Sequence, residues 1–105
     1  MIDKNVVESV SAIKQYISKS EQNADRHRAN ILIHVNKKDY GPGIRIVCTS
    51  VEGDFGKVII EDLDTLCGGY PNTFTTKDCH FSFVAGTLCI NAEDPLGGKI
   101  SINIT

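Results

Sequence analysis

The sequence predicts an α+β fold, with one N-terminal amphipathic helix packed on an antiparallel β-sheet of about six strands. Three observations predict it. Apolar residues recur at helical spacing only near the N-terminus. From about residue 30 onward the apolar period falls to two. The stretches between the alternating runs are short and carry glycine, proline or aspartate, as hairpin loops require.

The helix is expected over about residues 3–19, where Ile2, Val6, Val10, Ile13 and Ile17 step by four, four, three and four to draw one apolar stripe. The Asp3 carboxylate can accept the free N–H groups of the first turn, and Ile2 and Val7 stand at the two positions of a hydrophobic staple. The polar run "SKSEQNADRH" ends the period, so His27, between Arg26 and Arg28, reads as part of a solvated link.

Strands are expected at about 30–37, 43–52, 56–62, 79–85, 87–92 and 99–104. Ile31, Ile33 and Val35 alternate with Leu32, His34 and Asn36, which leaves His34 half-exposed on the outer face. Ile44, Ile46 and Cys48 share one face, opposite Arg45, Val47 and Thr49. Val58 and Ile60 continue the pattern, as do Cys79, Phe81, Phe83 and Ala85, and "KISINIT" sets Ile100, Ile102 and Ile104 against Ser101 and Asn103. Such alternation marks antiparallel strands with one buried face. "KKDYGPG", "VEGDFG" and "AEDPLGG" are too short for the helical crossover that parallel strands need, so hairpin and meander connections are expected. In "EDLDTLCGGYPN", Leu63, Leu66 and Cys67 have helical spacing, which suggests one short turn inside a loop. The whole chain, 1–105, reads as a single domain.

Composition narrows the function classes. Hydrophobic residues are 41% and charged residues 23% of the chain, an ordinary globular balance. The net charge of −2 argues against nucleic acid, whose phosphates call for clustered Lys and Arg. No apolar run nears the ~20 residues of a membrane-spanning helix, and the N-terminus lacks a basic segment followed by an apolar one, so a cytoplasmic location is expected. In that compartment Cys48, Cys67, Cys79 and Cys89 are expected as free thiols.

The stretch "DCHFSFVAGTLCINAED" concentrates two cysteines, a histidine and three acids. Adjacent strand residues point to opposite faces, so Cys79 and His80 cannot form one thiolate–imidazole couple. Zinc sites usually pair cysteines two to four residues apart, whereas here the spacings are 19, 12 and 10; no metal site is expected. "DPLGGKIS" has Glu93 and Ile100 where a phosphate loop needs Gly and Ser or Thr, and no cofactor is expected. "NIT" at 103–105 is a chance sequon in a strand. No local signature joins His27, His34 or His80 to a nucleophile, so the chain does not read as an enzyme.

These exclusions leave a small cytosolic, non-enzymatic binding protein that inhibits or neutralises a partner protein by surface complementarity, in the manner of immunity proteins, antitoxins and phage-encoded inhibitors. The expected contact residues are Asp54, Phe55, Glu61, Asp62 and Asp64, an acidic run with an aromatic tip suited to a basic partner surface. The rival expectation is a small-ligand-binding or catalytic domain with a pocket between helix and sheet. An exposed edge strand, such as "KISINIT", could also support self-association.

Overall fold

The computed structural model describes residues 4–20, 26–35, 37–61, 63, 72–93 and 98–105. Helix α1 (Lys4–Ser20) comes first, followed by β1 (Arg26–Val35), β2 (Lys38–Glu52), β3 (Phe55–Ile60), β4 (Thr73–Thr75), β5 (His80–Val84), β6 (Thr87–Glu93) and β7 (Lys99–Ile104). The strands form one antiparallel sheet in the order β4-β3-β2-β1-β7-β6-β5. It curls into a half-barrel with α1 packed on it. The α+β arrangement therefore stands, with seven strands where about six were expected.

The extra strand is β4. Its three residues, "TFT", are too few to display a period, yet Phe74 is buried and pairs with Val58. The boundaries of β1 move as well. It begins at Arg26 because His27 and Ala29 continue the buried face of Ile31, Ile33 and Val35. Nothing in the hydropathy of "RHRA" signals that continuation. On β2 the buried positions are Val47 and Thr49, while Ile44 is 67% exposed. The register explains this: Val47 pairs with both His27 and Ile60, and so belongs to the core face, opposite Ile44, Ile46 and Cys48. Leu63 is buried, and the remainder of the suggested 63–68 turn lies outside the described residues, as do Ile2 and Asp3 of the suggested cap and staple.

The core face is continuous across the sheet. Ile33 pairs with Ile102, Ile102 with Ile90, and Ile90 with Phe81, all with no exposed area. Strand β7 thus lies in the middle of the sheet, between β1 and β6, and "KISINIT" offers no edge. The true edges are β4, only three residues long, and β5, which α1 covers. Both are recognised ways of blunting an edge against unwanted pairing.

Helix α1 bridges the two ends of the curled sheet, contacting β5 and β6 on one side and β2 and β3 on the other. Its buried positions are Ser9, Val10, Ala12, Ile13 and Tyr16, a face rotated slightly from the aliphatic stripe, so that Val7 is left 52% exposed. Two small groups bring the helix close. Gly56 on β3 has no side chain because a Cβ there would stand 2.7 Å from Ile13 Cδ1. Ser9, fully buried, accepts a hydrogen bond from the Phe81 backbone N–H at 3.0 Å, so the helix satisfies a donor of the edge strand β5. Replacing Ser9 by alanine leaves that donor buried and unpaired. The expected loss is about 1–3 kcal/mol, read as a lower urea midpoint with an unchanged m-value.

Candidate functional site

The β2–β3 hairpin places two of the five expected contact residues at a tip. Glu52 pairs with Phe55, leaving Gly53 and Asp54 as a two-residue turn. Gly53 has φ 60°, a conformation that costs a side-chain-bearing residue and is natural to glycine at the first position of a type II′ turn. The tight turn fixes Asp54 outward and leaves Phe55 43% exposed. Beside the tip runs a groove of about 260 Å³ between hairpin and helix, lined by Val6, Val7, Val10, Ser11, Lys14, Gly53 and Asp54.

Glu61 belongs elsewhere. It follows the far end of β3, about 20 Å from Phe55 at the usual rise per strand residue. There it forms a two-pronged ion pair with Arg26: Nε lies 2.7 Å from Oε2, and a second guanidinium nitrogen lies 3.2 Å from Oε1. The guanidinium, through these hydrogen bonds, holds the Glu61 carboxyl below the usual carboxylate range. Cys48 Sγ also approaches Glu61 Oε2, at 3.9 Å. Glu61 is thus compensated within the chain, and the expected contact set splits. Asp62 and Asp64 lie outside the described residues.

The histidines fall in three different settings. His27, expected in a solvated link, is 7% exposed and meets the Tyr16 hydroxyl at 2.8 Å through Nε2. Burial lowers its pKa and raises that of Tyr16, so both are neutral at pH 7. No sequence rule predicts this pair, because the partners sit on different elements, and the short fragment "HRA" lacks an apolar signature.

His34 and His80 both lie on the outer face of the sheet, and His80, on the edge strand, also borders the groove between β5 and α1. Register places Asp39, His34, Ser101, Asn91 and His80 in one file across β2, β1, β7, β6 and β5. His34 Nδ1 makes a short contact with Asp39 Oδ1, with half or more of each side chain exposed. The file borders an open groove of about 610 Å³ that also includes Asp78, Glu93 and Lys99. Chemically it has an oriented imidazole and a neighbouring hydroxyl. Ser101 makes no hydrogen bond to His34, however, so no base–nucleophile couple is formed. Among the described residues, no three His, Cys, Asp or Glu side chains gather closely enough to hold a metal ion.

Cys79 precedes β5 and packs against the core, while His80 points outward, in keeping with strand parity. Burial pushes the Cys79 thiol pKa up, which disfavours the reactive thiolate. Cys48, Cys79 and Cys89 are free thiols, and Cys67 lies outside the described residues. Between helix and sheet, where a ligand pocket was the rival expectation, Ile13, Tyr16, Phe81, Ile90 and Ile102 fill the centre, none more than 3% exposed, and an open groove of about 370 Å³ runs between α1 and β5 beside Ser11, Gln15, His80 and Phe83. No helix among the described residues is long and apolar enough to cross a membrane. Comparison with protein-family models, characterised proteins and solved structures gives no match.

Proposed function

We propose that this chain is a protein-binding domain that inhibits or neutralises a partner, and that it binds through the end of the molecule formed by the β2–β3 turn and the adjoining flank of α1. The observation that carries this reading is the pairing of exposed apolar side chains with a shaped groove. Phe55 follows the turn at 43% exposure, and Val7 faces solvent at 52% from the wall of the same groove that Asp54 lines. Aromatic side chains at the centre of a contact carry a large share of binding energy, and a charged rim sets approach and register. Glu52 and Asp54 are exposed acids at this tip, which suits a partner presenting an apolar anchor beside Lys or Arg.

The test is capture by immobilised protein, wild type against a Phe55→Ala/Asp54→Lys variant. Neither residue is in the core, so the variant keeps the wild-type melting temperature. The wild type is expected to retain one protein in stoichiometric amount, and the variant to bind it at least about tenfold more weakly. Equal capture by both proteins would refute the assignment.

A second hairpin offers a stability check independent of function. In the Ala85–Gly86 turn joining β5 to β6, Ala85 has φ 53°, a left-handed conformation disfavoured for alanine. Replacing Ala85 by asparagine is expected to raise stability by up to about 1 kcal/mol, seen as a higher melting temperature.

A further inference from the structure

The Tyr16–His27 contact crosses from α1 to β1 and is the one described side-chain hydrogen bond between the helix and the middle of the sheet. Among the described residues, its surroundings offer a proton no compensation. The imidazole pairs across the sheet with Val47 of β2, and the next position on the same face of β2 is Arg45, a like charge. On β1 itself the flanking charges, Arg26 and Arg28, point to the outer face, and Arg26 is already engaged with Glu61. From α1 the group facing His27 is the Tyr16 phenol, whose pKa is raised. Among the described residues, no carboxylate stands on the core face of β1 or β2.

We propose that Tyr16–His27 is an acid-sensitive latch, in which protonation of the buried imidazole releases the C-terminal half of α1 from the sheet. With that half of α1 lifted from β1, the imidazolium reaches water, and Lys14, the groove residue carried by the same half, loses its seat. The seven strands remain hydrogen-bonded to one another without the helix. Resting on the binding reading above, the latch would make partner capture weaken in mildly acidic solution.

The direction follows from proton linkage. Burial holds the native pKa below the unperturbed value of about 6.5. Between those two values the released state binds the extra proton, so the latched state is favoured above about pH 6.5 and loses ground as pH falls. One proton multiplies the released fraction by up to about tenfold per pH unit within that window.

The test is native-state hydrogen exchange of the protein alone from pH 7.5 to 5, corrected for intrinsic exchange. Amides in the last two turns of α1 are expected to lose protection by up to about tenfold per pH unit below about pH 6.5, while β7 amides keep theirs. His27→Gln retains a neutral hydrogen-bonding group and is expected to flatten this dependence. Tyr16→Phe keeps the imidazole, so protection is lower at pH 7.5 but still falls with acid. Uniform loss in helix and sheet, or a pH dependence unchanged in His27→Gln, would overturn the latch. Capture measured at pH 7.5 and 5.5 separates the two readings. Helix release without any change in capture leaves the latch standing and removes the binding face.

Discussion

Truncating Phe81 to alanine is expected to cost about 3–5 kcal/mol, the range for a large aromatic side chain removed from a packed core. Phe81 has no exposed area, lies on the edge strand β5, pairs with Ile90, and sits where Ser9 of α1 receives its backbone N–H. The site has little freedom to collapse, because the strand is fixed on one side by β6 and on the other by the helix. For a domain of ordinary stability, about 5–15 kcal/mol, such a loss is a large fraction of the total. Urea unfolding with an unchanged m-value is the measurement. A loss below about 1 kcal/mol would mean that Phe81 is not in the core.

The second large effect concerns the helix–sheet approach, and a double-mutant cycle reads it. Gly56→Val alone forces side-chain atoms into the space of Ile13 Cδ1, at 2.7 Å from the Cβ, and of Thr76 Cγ2, at 3.0 Å. Overpacking of this kind costs about 1–3 kcal/mol. Ile13→Ala alone leaves a cavity and costs about 2–5 kcal/mol. Combined, the changes partly compensate, because the new valine enters the space the isoleucine vacates. The double variant is expected to be more stable than the sum of losses by about 0.5–3 kcal/mol. Additivity within about 0.5 kcal/mol would show that Ile13 does not rest on Gly56.

The ion pair between Arg26 and Glu61 makes an instructive contrast. Their side chains are 63% and 37% exposed. Despite its two-pronged geometry, solvent and salt screen the pair, and Glu61→Gln is expected to leave the melting temperature nearly unchanged at physiological salt. The importance of Glu61 lies in what it cannot do: already engaged by Arg26, it is a poor steering charge for a partner.

The outline of the fold was legible because periodicity is a direct consequence of burial. "KISINIT" announced a strand with Ile100, Ile102 and Ile104 inward, and all three are buried. The same pattern is silent on neighbours, so it could not reveal that β7 is central and β5 an edge. Hydropathy also misled wherever the core face is polar or small. Ser9, Ala12, His27, Ala29 and Thr49 are all buried, yet none stands out as apolar signal, and the helix face and the start of β1 were misjudged accordingly. Ile44 shows the reverse error, a large aliphatic residue left outside by the register of β2.

The candidate site was half legible. Glycine and aspartate at a turn between alternating runs identified the hairpin and its exposed tip, Asp54 and Phe55. Val7 and the groove wall were not visible, because they depend on how α1 is rotated against β3. The separation of Glu61 from the tip, by contrast, was implicit in the strand expected over 56–62, because an extended strand carries its two ends apart. The Asp39–His34–Ser101–Asn91–His80 file, drawn from five strands, exists only in the sheet register.

The central claim is that a partner protein sits on the hairpin–helix end. Site-specific photo-crosslinking tests it most directly, with p-benzoylphenylalanine introduced as Phe55→p-benzoylphenylalanine, Val7→p-benzoylphenylalanine and, on β6 four strands across the sheet from β3, Asn91→p-benzoylphenylalanine. All three positions are exposed, so each tolerates the larger side chain. The account predicts one and the same crosslinked protein from positions 55 and 7, and none from position 91. Crosslinking from position 91 alone, or equally from all three, would contradict it.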